Sequence, residues 1–295
     1  MTTPYTPRIP SESLFVQARG LRHHVRAWGP SDAPRLWMVH GWMDVSASWQ
    51  FVVDHLSKHW RVMAPDWRGF GLTGWAQADS YWFPDYLGDF DALLDALEPD
   101  SPIQLVAHSM GGTVAMTYAG VRPQRIRRLV SLEGFGLNPT DPAQAPVRLA
   151  EWLDELRQPC RLKDYDSLQA VAERLRLTNP RLRPERAAWL AQHWSVRNAQ
   201  GRYALLGDPA HKRVNPYLYR VDEANACWSA ITAPVLLVGA RSGTRWQQLR
   251  NDPAYRARLG QVPTLRETTL DEAGHMVHHD QPERIAGLVE EFFSE

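Results

Sequence analysis

Leu105 to Met116 reads "LVAHSMGGTVAM", an apolar run that ends in a His-Ser pair and passes at once into a segment crowded with glycine. A plain strand-to-helix connection needs no serine there. The nucleophile elbow G-x-S-x-G does, because it sets serine on a tight, strained turn with its hydroxyl clear of the sheet. Small residues two before and two after the serine keep that turn from colliding with itself. Those positions are Ala107 and Gly111, the first departing from glycine by one methyl group, and Gly112 gives helix and strand further room to approach. The helix N-terminus behind Ser109 favours negative charge developing there. A serine that only caps a helix would show the same local pattern, so the other parts of such a site decide.

Segments before and after the elbow supply them. An oxyanion hole needs two backbone N–H groups, one from the residue after the nucleophile and one from an earlier strand-to-helix loop. Met110 offers the first. "VHGWMD", Val39 to Asp44, offers the second at Trp42, with Gly41 turning the loop toward the site and Asp44 holding the loop or capping the next helix. Near the other end, "DEAGHMVHHDQPE" places His275 just after a late strand. An imidazole there suits the base that takes the serine proton and returns it to the leaving group. His278 and His279 read as surface or supporting groups on the following turn. His275, His278, His279 and Asp280 match no common zinc spacing, so no metal is expected. "PDWRGFG", Pro65 to Gly71, ends another strand in a glycine-rich loop, where Asp66, Arg68 and Gly69 read as structural through ion pairing and turn geometry.

The rest of the chain alternates. "LFVQA" and "HHVRAW" read as strands joined at Arg19-Gly20; "RLWMVHG", "RVMAP", "IQLVAH" and "RIRRLVSLEG" follow, with helices expected over 48–56, 81–97 and from Gly111. Continuous apolar strands alternating with helices predict a mostly parallel sheet covered on both faces, an α/β fold. The alternation stops near Phe135, and 137–229 read as helical, polar-rich and punctuated by proline, without a strand signal. It resumes with "PVLLVGA", "TLRETTL" and the amphipathic "PERIAGLVEEFF". The expected organisation is a core of residues 1–136 and 230–295 with 137–229 as a helical cap over the sheet's carboxyl edge, where open α/β sheets bind ligands.

Composition narrows the partners. Lys+Arg and Asp+Glu are each 33, so neither nucleic acid nor an anionic membrane is an expected partner. A small-molecule substrate is, and a homodimer is left open. Cys160 and Cys227 fit no metal spacing and read as free thiols. The start "MTTPYTPRIPSES" lacks a signal pattern and no apolar run is long enough to span a bilayer, so the expectation is a soluble, cytoplasmic protein. Thirteen tryptophans suggest an aromatic-lined pocket. Trp42, Trp152, Trp189 and Trp194 are the candidates for its wall, with core packing the equal alternative for each.

With "HGWMD", "DWRGFG", "AHSMGG" and "AGHMVHHDQPE" in that order, the chain resembles the α/β-hydrolase fold superfamily over nearly its whole length, in its serine-nucleophile branch. "SWQFVVDHL" and "NPYLYR" make it similar to the serine hydrolase-like group. Relatives that hydrolyse epoxides or haloalkanes use aspartate as nucleophile, and position 109 is serine. The resemblance implies a triad carboxylate in the loop after "PVLLVGA", but that loop reads "GARSGTRW", with Ser242 where aspartate would stand and Arg241 beside it. No carboxylate follows until Asp252, and Asp271 lies too near His275 in sequence to face its far nitrogen easily. Some relatives carry the acid one strand earlier, where this chain has Glu133 at the end of "LVSLEGFG". A charged residue closing a buried strand needs a reason, and Glu133 is the preferred acid, with an ion pair to an arginine such as Arg68 as its structural alternative and Asp252 as the second choice. The expected function is a cofactor-independent serine hydrolase, first of all a carboxylesterase for a small apolar or aromatic ester. Thioesterase, acyl-transfer and C–C hydrolase chemistry share the machinery; a ligand-binding protein on the same scaffold is the alternative that Ser242 keeps in view.

Overall fold

The runs nearest the N-terminus pair as a hairpin, β1 (Ser11–Ala18) with β2 (Leu21–Trp28), in register from Ser11 opposite Trp28 to Ala18 opposite Leu21. Arg19 and Gly20 between them both have positive φ, 47° and 77°, the turn whose twist suits two right-twisted strands. The computed structural model describes residues 3–295. Along the chain follow β3 (Arg35–Val39), α1 (Gln50–Val53), β4 (Arg61–Pro65), α2 (Phe83–Leu97), β5 (Ile103–His108), α3 (Met110–Val121) and β6 (Ile126–Leu132). Between β6 and the next sheet strand lie α4 (Ala145–Leu156), α5 (Leu168–Thr178), α6 (Pro184–Trp194), β7 (Ser195–Arg197), β8 (Tyr203–Leu205) and α7 (Val221–Ser229). The chain closes with β9 (Val235–Ala240), α8 (Thr244–Arg250), α9 (Pro253–Leu259), β10 (Leu265–Leu270), α10 (Val277–Asp280) and α11 (Pro282–Ser294).

Eight strands form one sheet in the order β1-β2-β4-β3-β5-β6-β9-β10, parallel from β4 onward. Successive side chains of a strand point to opposite faces, and the two cores follow that rule. Trp37, Val39, Leu105, Ala107 and Leu129 pack on the side of Phe90 and Tyr118. Leu36, Met38, Val106 and Val130 pack on the side of Val52, Ile285 and Val289. Both faces being covered explains why these strands read as continuous apolar runs. The fold is that of an α/β hydrolase, as the ordered motifs imply.

Two local expectations differ from the structure. The helix expected over 48–56 is a 3₁₀ turn, Ser46–Trp49, followed by the single turn α1. The β-branched pair Val52-Val53 propagates a helix poorly, and the Asp54 carboxylate is occupied by the backbone N–H groups of Arg8 and Ile9, both 3.0 Å away. The segment 137–229 also contains a two-stranded antiparallel ribbon, β7 with β8. Three-residue strands are too short to show alternation; the turn between them is built by Asn198, whose side chain accepts from the N–H groups of Gln200 and Arg202.

The segment after β6 does not pack uniformly. Leu175, Leu190 and Ala191 of α5 and α6 share an apolar cluster with Val45, Ala47 and Phe51, just beyond the "HGWMD" loop. Helix α7 lies against α3, where a Cβ on Gly120 would come within 1.8 Å of the Cys227 carbonyl oxygen. Helix α4 has no buried residue at all. Cys160 and Cys227 are both free, and among the described residues no helix is long and apolar enough to cross a membrane.

Buried imidazoles set an acid limit on stability. His211 is stacked between Phe70 and Tyr81, ring centroids 3.7 and 3.8 Å away, and burial lowers its pKa to about 3. Burial, then His275 and His40, lower that of His278 to about 3 as well. In the unfolded chain both would take a proton below about pH 6.5, so the stability they contribute is complete above that pH and declines as pH falls toward 3. At pH 5 the loss is about 2 kcal/mol for each group. Urea unfolding at pH 7.5 and pH 5 is expected to show this fall, smaller by about 2 kcal/mol in His211→Gln.

Candidate active site

Ser109 sits between β5 and α3 with φ 52° and ψ −114°, a strained conformation for a residue with a Cβ. Its N–H donates to the Leu132 carbonyl of β6, 2.9 Å away, which ties the turn to the neighbouring strand. The glycines around it are needed for close approach. A Cβ on Gly111 would lie 2.5 Å from the His40 carbonyl oxygen, and one on Gly112 2.7 Å from Gly134 Cα. A Cβ on Gly41 would lie 2.9 Å from His108 Nδ1 and 3.1 Å from Ser109 Cβ, so the loop after β3 rests directly on the elbow.

His275, on the loop after β10, places Nε2 2.9 Å from Ser109 Oγ. Its Nδ1 is 3.2 Å from Glu133 Oε2. Glu133 follows β6 with φ 54°; its N–H donates to the Val238 carbonyl at 2.8 Å and its Oε1 accepts the Ala240 N–H at 2.6 Å. The carboxylate side chain is 1% exposed and the imidazole 52%. A carboxylate only accepts, so the imidazole proton sits on Nδ1 and donates to Glu133. The lone pair on Nε2 is thereby left to accept the serine hydroxyl proton.

The structural alternative for Glu133 fails on position: Arg68 is bound to Asp89 at 2.5 and 2.6 Å and to Asp85 at 3.0 Å. Ser242, at the position the resemblance assigns to the acid, donates to the Ala273 carbonyl at 2.5 Å, and Arg241 pairs with Asp271. Asp252 is exposed and caps α9 by accepting the Ala254 N–H at 2.9 Å. Since asparagine caps a helix as well as aspartate, Asp252→Asn is expected to leave ester turnover within about twofold of the unchanged protein in initial-rate assays.

Of the two oxyanion candidates, Trp42 follows Gly41 on the loop that rests on the elbow and Met110 is the first residue of α3. Among the described residues neither N–H donates to a protein acceptor. Sequence reasoning assigned no role to two histidines that hold this geometry. His40 Nε2 accepts the Trp67 N–H at 3.0 Å while its Nδ1 donates to the Gly41 carbonyl at 2.8 Å, pinning the loop. His108 Nε2 donates to the His275 carbonyl at 2.9 Å; burial keeps its pKa well below the ordinary value, so it does so as a neutral ring. The only sign of either in the sequence was a histidine beside a motif residue. Asp66 fits its structural reading: burial works against its charge, but His24 at 2.6 Å and the Leu72 N–H hold its carboxyl well below the usual range, and it also accepts the Ser46 N–H.

Other expectations are corrected. His278 and His279 are buried, not on the surface. With Asp44 they bring one potential ligand atom each within 4.8 Å of one another, whereas Asp280 turns away to the Gly274 N–H and the Asn179 amide. Asp44 holds its loop as expected, accepting from the Val45 N–H, the Ser48 hydroxyl and, at 3.2 Å, the Trp194 indole. Trp189 is part of the packing against Tyr5 and Phe51. None of Trp42, Trp152, Trp189 and Trp194 lines a cavity of about 1000 Å³ between α2, α3, α4 and the segment leading into α7, whereas Trp189 with Tyr5 lines a smaller one of about 320 Å³. Amphipathic spacing places a tryptophan on the covered face of a helix without saying what covers it.

Known proteins share this arrangement of elements. A serine hydrolase-like protein of Danio rerio is 25% identical over 281 residues, covering 90% of this chain and 83% of its own. Lipase LipV of Mycobacterium tuberculosis is 30% identical over 284 residues, covering 90% and 95%. Among solved structures, a thioesterase domain from the curacin biosynthetic pathway matches with TM-score 0.85 at 25% identity, over 96% of this chain and 99% of its own. The model of the alpha/beta hydrolase fold matches residues 34–282, from the strand before the "HGWMD" loop to beyond His275, and the chain belongs to that family.

Proposed function

We propose that the protein is a cofactor-independent serine hydrolase of the carboxylesterase type, acting on an apolar ester of a small molecule. The observation that carries this reading is the relay Ser109 Oγ, His275 Nε2 at 2.9 Å, His275 Nδ1 and Glu133 Oε2 at 3.2 Å. Ser109 Oγ attacks the acyl carbon as its proton passes to Nε2, and the imidazolium formed is stabilised by the buried Glu133 carboxylate. The carbonyl oxygen, now an anion, is held by the N–H groups of Trp42 and Met110; each such donor is worth about 10²–10³ in rate. Nε2–H then protonates the leaving alcohol, and an acyl-serine remains. Water, deprotonated by the same imidazole, releases the acid and restores the hydroxyl. The names of the relatives, a lipase and a serine hydrolase-like protein among them, support acyl chemistry.

The reading is tested by treating the protein with a fluorophosphonate probe and measuring its intact mass. One adduct, on Ser109, is expected within minutes. Folded protein that stays unlabelled rejects the assignment and favours a binding module.

A further inference from the structure

The cavity of about 1000 Å³ is lined by neither Ser109, Glu133 nor His275, yet it runs along the helix that carries the nucleophile. Thr113, Val114 and Thr117 of α3 line it. Thr113 is one turn from Ser109, its N–H donating to the Ser109 carbonyl at 3.0 Å. Helical spacing puts Met110, Thr113, Val114 and Thr117 on one face, so Met110 is the residue of that face next in sequence to Ser109. Its unbranched side chain can swing aside. At the far end α7 closes on α3 at Gly120 and Cys227, giving the groove a floor.

We propose that this groove binds the linear apolar acyl chain of the ester, which makes the enzyme selective for medium to long chains. The inference rests on the serine hydrolase reading and names its substrate class. Three features choose a neutral chain over other occupants. The walls are apolar, with Trp82, Leu137 and Tyr217 prominent. The charges at the cavity balance in number: Arg220 is paired with Asp222, and the lining holds one further charge of each sign, Arg148 and Glu223. Helix α4, which borders the groove through Leu149, leaves that side uncovered, with Leu149 42% and, one turn on, Leu153 49% exposed. A short helix gains its stability from burying such a face, and a chain lying beneath α4 gives it that surface. From Ser109 to Thr117 the helix rises about 12 Å, the extended length of roughly ten carbons at about 1.25 Å each.

The test uses the Cys160→Ser protein, in which Cys227 is the one remaining thiol, and compares kcat/KM for p-nitrophenyl acetate, butyrate, octanoate and decanoate. Burial is worth about fourfold per methylene at its limit. Partial burial of the chain is expected to raise kcat/KM at least about 50-fold from acetate to decanoate. Attaching a benzyl group to Cys227 with benzyl methanethiosulfonate fills the floor and is expected to lower the decanoate-to-acetate ratio at least about tenfold, chiefly through KM. Thr117→Trp fills the groove from α3 and is expected to shift the ratio the same way, whether or not the reagent reaches Cys227. A ratio that does not rise with chain length, or that survives both changes, overturns the proposal. If Ser109 still takes the fluorophosphonate, the hydrolase reading outlives that failure; if it does not, both fall together.

Discussion

Ser109→Ala is expected to lower kcat/KM for p-nitrophenyl acetate by about 10⁴- to 10⁶-fold. The change removes one oxygen and leaves the elbow otherwise as it is. Alanine keeps the Cβ that meets the Gly41 loop, and its N–H still reaches the Leu132 carbonyl. The oxyanion donors and the imidazole also remain, so a residual rate above water is expected. Initial rates read beside a thermal melt separate chemistry from folding. A folded variant within about tenfold of the parent would show that the hydroxyl attacks nothing.

Glu133→Gln is expected to cost about 10³- to 10⁴-fold with the melt little changed. Glutamine has the same shape, but its two ends differ. The Ala240 N–H, 2.6 Å from Oε1, holds the amide oxygen, and so the NH₂ group turns toward His275. That group can only donate, which obliges Nδ1 to accept and moves the ring proton to Nε2. The nitrogen facing Ser109 then presents a proton where it must receive one. Loss should appear in kcat, with the fluorophosphonate reaction slowed in parallel. Turnover near that of the parent would place the acid elsewhere.

Most of the frame was legible because its signals are local. Strands buried on both faces show unbroken apolar runs, and an elbow shows small residues around a serine. The contact of Glu133 with His275 was legible for a different reason: a carboxylate at the end of a buried strand is costly without a partner, and the usual position held Ser242. What faces what between distant segments was not legible. His278 and His279 sit in a charged-looking run, "HHDQPE", and it is packing against the distant Trp49, Phe51 and His108 that buries them. The tryptophans of α4 and α6 carry the right spacing for a wall, but Trp189 meets Tyr5, a residue nearly two hundred positions earlier. Nor does any residue pattern mark the long groove, because it is space left where α2, α3 and α4 fail to meet.

The loop after β9, without an acid to present, serves packing instead. Gly239 lets the Trp246 indole lie across the strand, and that ring stacks on Phe135 with centroids 5.0 Å apart.

Glu133, the proposed acid, stands at the end of the strand next to that of Ser109, the proposed nucleophile, and both backbones are tied in by cross-strand bonds, Ser109 N–H to Leu132 and Glu133 N–H to Val238. Their separation is thus governed by the spacing of a parallel sheet, about 4.8 Å per strand, and not by the fluctuations of a surface segment. Warming that loosens the periphery would leave this yardstick unaltered. The Ser109–Glu133 spacing should therefore persist until the sheet itself melts, and activity lost earlier on warming would be traced to the half-exposed His275 loop that joins the two.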